Sequence, residues 1–245
     1  MSDKDIIISA SILSSDFKNL EKEIKALNLS GIDEFHLDIM DGHFVENISF
    51  GQPLVETIRS LTTLPIEVHL MVENPKNHIK TLSQIGVDIF TFHLESENNI
   101  KEVIDSVRES KSKVGIAINP DTKIEAIIPY INFIDRVLFM TVYPGKGGQS
   151  YLNFVEEKIN QLVEIDKGRK ILIGVDGGIK FDTISYPYNS GARMFVSGTG
   201  ILNNELGYLG AVNQLRKSIW EQCLFYLKYG FLLLLIWLHI LFRQL

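Results

Sequence analysis

The chain has 245 residues, 45% hydrophobic and 22% charged, ample for one packed domain of α/β-barrel size. Its 24 basic and 30 acidic residues leave a net charge of −6, so no basic excess suits a phosphate backbone and nucleic acid is excluded as the expected partner. One cysteine, Cys223, excludes an internal disulfide and fits a reducing compartment. The stretch Met1 to Asp5 resembles neither a secretory signal nor an Arg-rich transit peptide, so cytoplasmic residence is expected.

Along the chain, short β-rich runs alternate with amphipathic helical patterns. Ile6 to Ser11 reads as the first strand, and Asp16 as the cap of a helix carrying Phe17, Leu20, Ile24 and Leu27. Asp33 to Ile39 is the second strand, followed by a short helix from Pro53 to Leu61. Ile66 to Leu70 is the third, after which Asn74-Pro75 opens a helix to about Ile85 as cap and first helical residue. Val87 to His93 and the helix Asn98 to Ser110 make the fourth unit. Val114 to Ile118 is the fifth strand, and Asp121 is expected to cap a helix with Ile124, Ile127 and Ile128. Arg136 to Thr141 precedes a glycine loop and the helix Leu152 to Asp166. Lys170 to Val175 and Met194 to Val196 are the last strands, and Gly210 to Trp220 the last helix.

Eight such β/α units without a long linker predict a single-domain α/β protein, a closed (β/α)8 TIM barrel, over residues 1–222. A doubly wound open sheet fits less well, because no Gly-x-Gly-x-x-Gly follows the first strand. Residues 223–245 are set apart as an atypical apolar tail. From Leu224 to Phe242 it is broken only by Lys228, Gly230 and His239, a length at the lower edge of a bilayer span. Any membrane contact is expected only through 224–242, as an anchor, a partner-binding helix or an extension foreign to the domain.

His36 and Asp38, His69, and Asp176 each sit at the end of a strand and before a loop. In a strand, positions i and i+2 share a face, so the imidazole of His36 and the carboxylate of Asp38 point together. Singly, each has an ordinary explanation: a satisfied core histidine or a helix cap. Together at the C-terminal strand ends of a barrel, they form a mixed nitrogen and oxygen set suited to one divalent ion such as Zn, Fe, Mn or Co. The two carboxylates can also act as an acid/base pair if they flank a carbon bearing an acidified proton. His93 ends a strand too, as a lining or a positioning histidine. His43 sits in a loop that could cover the site, and His78 reads as solvated on a helix. Met40, Met71 and Met140 would collar the mouth or simply fill core.

Glycine loops follow the last three strands: Gly145-Lys146-Gly147-Gly148, Gly177-Gly178 and Ser197-Gly198-Thr199-Gly200. Backbone N–H groups in such loops bind phosphate without arginine, and the last two strands are where barrels commonly hold one. Ser11 is a candidate donor to a substrate.

The segments Ser11-Ile12-Leu13, His36 to Val45, His69-Leu70-Met71-Val72, Met140-Thr141-Val142 with Pro144-Gly145, Gly147-Gly148-Gln149 and Val175 to Ile179 resemble ribulose-phosphate 3-epimerases from about Ile6 to Trp220. The resemblance implies a (β/α)8 isomerase of the pentose phosphate pathway that interconverts D-ribulose 5-phosphate and D-xylulose 5-phosphate. It implies one divalent cation per subunit on His36, Asp38, His69 and Asp176, with Asp38 and Asp176 as the proton-transferring pair. Ser11, His69, Gly145, Lys146, Gly147, Gly148, Asp176, Gly177, Gly178, Gly198 and Thr199 would contact a ketopentose phosphate, in what is expected to be a homo-oligomer.

The chain departs from that pattern in the lid, where Lys146 replaces an aromatic residue and Tyr143 a polar one. It departs again at Tyr186-Pro187-Tyr188, where proline should shorten a helix. Two rivals remain: an epimerase of another ketose phosphate, such as a ketohexose 6-phosphate, and a non-catalytic phosphosugar-binding barrel.

Overall fold

The computed structural model describes residues 6–97, 99–166, 168 and 171–220. Eight parallel strands close into a barrel in chain order: β1 (Ile7–Ser11), β2 (Glu34–Met40), β3 (Ile66–Met71), β4 (Ile89–His93), β5 (Lys113–Ile118), β6 (Arg136–Met140), β7 (Leu172–Asp176) and β8 (Met194–Ser197). The helices between them are α1 (Leu20–Asn28), α2 (Gln52–Leu61), α3 (Lys76–Ile85), α4 (Ile100–Glu109), α5 (Val155–Asp166), α6 (Ser185–Ser190) and α7 (Thr199–Leu202), with residues 207–220 helical as α8. The expected TIM barrel is therefore the fold.

Alternation along each strand sorts side chains to two sides. Phe35, Leu37 and Ile39 of β2, and Val68 and Leu70 of β3, face outward. They join Ile24, Leu27, Val55, Ile58, Ile79 and Leu82 of the helices in one buried cluster. Burying each such side chain contributes about 1.5–3 kcal/mol, and this layer holds the helices on the barrel. The register places Asp38 beside His69, Ser11 beside His36, and Asp176 beside Met140, so the strand ends converge on one mouth.

Three local expectations change. Asp16 does cap, accepting from the Lys18 N–H at 3.1 Å, but it opens the 3-10 turn Phe17–Asn19 that leads into α1. Asn74 makes no side-chain cap; the N–H groups of Asn77 and His78 instead find the carbonyls of Asn74 and Pro75. No α-helix follows Asp121. Between β5 and β6 run only the 3-10 turns Ile124–Ala126 and Ile128–Phe133, because Pro129 removes a backbone donor where an α-helix would need it. The freed Asp121 carboxylate accepts from the Tyr143 hydroxyl at 3.0 Å. Pro187 does shorten its helix, and α6 ends after six residues on left-handed Gly191.

Among the described residues no helix is long and apolar enough to cross a membrane. The tail 223–245, Cys223 within it, and the expected boundary residues Asn98 and Lys170 lie outside the described residues.

Candidate active site and metal centre

His36 and Asp38 leave β2 on its inner face, His69 lies on the inner face of β3 just below Met71, and Asp176 closes β7. One ligand atom from each lies within 4.8 Å of all the others. His36 Nε2 is 3.1 Å from Asp38 Oδ1 and 3.2 Å from His69 Nδ1, and His69 Nδ1 is 3.0 Å from the same Asp38 oxygen. Asp176 Oδ2 stands 3.8 and 3.7 Å from those two ring nitrogens. An ion with bonds of about 2.0–2.2 Å to four tetrahedral ligands separates them by roughly 3.4 Å. The spacing and the donor chemistry thus fit a divalent cation, and the described residues contain this one cluster that could hold a metal.

The two carboxylates differ. Asp38 uses both oxygens, one toward the imidazoles and one accepting from the Ser11 hydroxyl at 2.7 Å. Burial alone would favour its protonated form, but His36 and His69 beside it hold the carboxyl far below its ordinary value. Asp176 is farther from both rings; burial, and then the charge of Asp38, push it up to about 7. Burial opposes charge on His36, yet Asp38 and Glu67 flanking its ring raise it well above the usual imidazole value. Burial lowers His69, and takes His93 down to about 4.

A cleft opens above the cluster. Ser11, Asp38, Gly145, Lys146, Gly147, Gly148, Asp176, Gly177, Gly178, Gly198 and Thr199 line it, as do Met40, Met71 and Met140. The three methionines thus stand at the mouth. His36 and His69 are fully buried beneath the cleft rather than in its walls. Ser11 has two tasks: its oxygen accepts from the Leu13 N–H at 3.3 Å, and its hydroxyl donates to Asp38. His43 turns to the Asp41 carbonyl and His78 lies half-exposed on α3; neither lines the cleft.

The glycines are there for geometry. Gly178 has φ +67°, and a Cβ on it would stand 2.6 Å from the Tyr151 backbone nitrogen. The lid is cross-tied: the Asn47 amide donates to the Gly145 carbonyl, and the Gln149 amide to those of Tyr143 and Lys146.

Sequence reading missed Glu67. It accepts from His36 Nδ1 at 2.8 Å and from the Thr91 hydroxyl at 2.5 Å, and it faces Arg136 Nη1 at 3.0 Å. The signal was present: Glu67 precedes His69 by two in a strand, so both share its inner face. Leu13, Ser14, Val142, Pro144, Gln149, Ile179 and Val196 also line the cleft without having been read as substrate contacts.

Comparison with known proteins agrees. A model of the ribulose-phosphate 3-epimerase family matches residues 7–202. The chain is similar to ribulose-phosphate 3-epimerase of Bacillus subtilis, 39% identical over 199 residues that make up 80% of this chain and 92% of that protein. It is also similar to the enzyme of that name from Treponema pallidum, 38% identical over 206 residues, 83% of this chain and 94% of that protein. Among solved structures, KGPDC from Streptococcus mutans shares the fold, with TM-score 0.69 and 16% identity over 89% of this chain and 98% of that one.

Proposed function

The chain belongs to the ribulose-phosphate 3-epimerase family and is an isomerase, and we propose that Asp38 and Asp176 are the acid and base with which it interconverts D-ribulose 5-phosphate and D-xylulose 5-phosphate. One observation carries the assignment. Two carboxylates from β2 and β7, three strands apart around the barrel, meet at one point on the floor of the cleft. Inverting a carbon beside a ketone requires a proton to leave one face and another to arrive on the opposite face. Two carboxylates on different strands can serve both faces without the substrate turning over.

Their environments suit the exchange. Without an ion, Asp38 is held ionised and Asp176 is pushed up to about 7; a bound cation would draw both to the carboxylate form, from which each can take the C3 proton of the epimer that faces it. His36, Asp38, His69 and Asp176 would hold a divalent cation, whose charge would stabilise the enediolate that forms when the C3 proton leaves. Ser11 keeps Asp38 from rotating. Gly177, Gly178, Gly198 and Thr199, with the lid residues Gly145 to Gly148, would take the phosphate at the far end of the cleft. Binding energy there orients C3 between the carboxylates. Met40, Met71 and Met140 keep water from the reacting carbon.

Asp38→Asn and Asp176→Asn should each lower epimerisation by about three orders of magnitude. Each ion-loaded variant should still exchange the C3 hydrogen of one epimer with deuterated solvent, and the two should prefer opposite epimers. Equal exchange of the same epimer by both would mean a single base does the work.

A further inference from the structure

The cluster is supported by two hydrogen-bonded arms. One runs from His36 Nδ1 to Glu67. The other leaves His69 by its second nitrogen: Nε2 lies 2.9 Å from His93 Nε2, the two rings stack at 5.0 Å and 21°, and His93 Nδ1 faces Glu95 Oε2 at 3.3 Å. The donor pattern of this arm has one solution. A carboxylate only accepts, so His93 donates from Nδ1. A neutral ring protonated there keeps a lone pair on Nε2, so the proton between the two rings belongs to His69 Nε2. His69 then presents a lone pair at Nδ1, the atom that faces His36, Asp38 and Asp176.

We propose that His93 and Glu95 are positioning residues for the ion site: they lock His69 in the tautomer and ring orientation in which Nδ1 ligates a divalent cation. This rests on the reading of the four-residue cluster as an ion site. Glu95 is anchored for the task. The Asn119 N–H donates to its Oε1 at 2.9 Å, and the Thr122 hydroxyl donates to the same oxygen. The Lys158 ammonium in turn holds that loop by the carbonyls of Asn119, Pro120 and Thr122. The arm thus runs from a ligand to the rim of the mouth, where the Glu95 side chain is 25% exposed. Neither His93 nor Glu95 lines the cleft, so both act through His69.

The experiment is Co(II) binding to the full chain, followed by competition with a chromophoric chelator and by the visible absorption of the bound ion. His93→Phe keeps a ring against His69 and Phe44 but loses the acceptor, and should weaken binding roughly tenfold to a hundredfold and alter the spectrum. His93→Gln, whose amide oxygen can accept from Nε2–H, should recover part of the loss. Glu95→Ala, at the rim, should weaken binding several-fold. Affinity and spectrum unchanged in His93→Phe and Glu95→Ala would show that the arm only packs. If His93→Phe does not fold, Glu95→Ala decides alone: weakened binding supports the inference and unchanged binding overturns it. Absence of Co(II) binding by the unsubstituted chain would overturn both the inference and the ion-site reading, and would be seen before any substitution is made.

Discussion

The inside of the barrel is divided into two environments. From β2 to β4 the buried inward positions are Glu34, His36, Asp38, Glu67, His69, Thr91 and His93, with Ile89 below them and Met40 and Met71 above them at the mouth. From β5 to β8 they are mostly Ala117, Leu138, Met140, Met194 and Val196, which join Val142 in an apolar cluster. Strands of a parallel barrel, covered on both faces, ought to be apolar throughout. The second half obeys except at Arg136 and Asp176, while the first is polar through its middle, so each charge there needs a partner to offset its desolvation. Each has one, and the partners form a ladder: Arg136 reaches across from β6 to Glu34 at 2.9 Å and to Glu67 at 3.0 Å, and Glu67 holds His36. Gly115 leaves the room; a Cβ there would stand 2.1 Å from the Thr91 hydroxyl and 2.9 Å from Arg136 Cγ. The polar half is built to fix ligands. The apolar half surrounds Asp176 with little that stabilises charge.

The comparison breaks most visibly at Arg136. Arg136→Met should leave Glu34 buried and unpaired and Glu67 with only His36 and Thr91, destabilising the fold by about 3–5 kcal/mol. Leu138→Ala in the apolar half should cost a similar amount, about 2–5 kcal/mol, through a cavity. The two should part on ion affinity, which falls with Arg136 because Glu67 loses its anchor and is unchanged with Leu138. Urea unfolding and Co(II) titration on both variants test this, and equal ion affinity in the two would deny that the ladder serves the site.

The next effect is on pH. Burial and the charge of Asp38 push Asp176 up to about 7 from an ordinary 3.8, so the ion-free fold is stabilised by its proton. That contribution is fully present below the ordinary value and is lost as pH rises through about 7. A cation needs the carboxylate, so binding below about pH 7 must expel this proton, and His36, held above its ordinary value, adds a second. Ion affinity should therefore rise steeply up to about pH 7, where both protons must leave, and less steeply above it, where only the His36 proton remains to be expelled. Affinity independent of pH between about 6 and 8 would remove the assigned asymmetry between the carboxylates.

A smaller effect lies in the glycine wall. At Gly178→Ala the left-handed backbone and the Tyr151 main chain leave no space, and a strain of about 1–3 kcal/mol should appear as lower stability and a raised KM. Unchanged KM for the sugar phosphate would move the phosphate away from this loop.

Much of this was legible in the sequence because the barrel rule is strict. Apolar runs punctuated by loops gave eight strands, and His36, Asp38, His69 and Asp176 stood out where alternation met a strand end. Glu67 could have been read the same way, from its i, i+2 relation to His69. Arg136 and Gly115 could not, since their meeting with Glu34 and Thr91 depends on the stagger of strands far apart in the chain. The missing helix after Asp121 was hidden by an isoleucine spacing that fits α and 3-10 turns alike, and Pro129 decided between them.

The lid separates the two halves most finely. Lys146 is exposed and lines the cleft on its glycine side, remote in the chain from every ligand of the polar half. Its ammonium can meet a phosphate only through solvent-screened charge, which is worth little. Lys146→Ala should therefore raise KM by a few-fold at low salt, leave kcat near its original value, and lose most of that difference at about 0.5 M salt, where the screening length falls to a few ångströms. A fall in kcat with KM unchanged would place Lys146 in the chemical step or in lid motion. The division of labour between the cluster on the cleft floor, which serves ion and proton transfer, and the glycine loops, which serve phosphate, would then not hold at the lid.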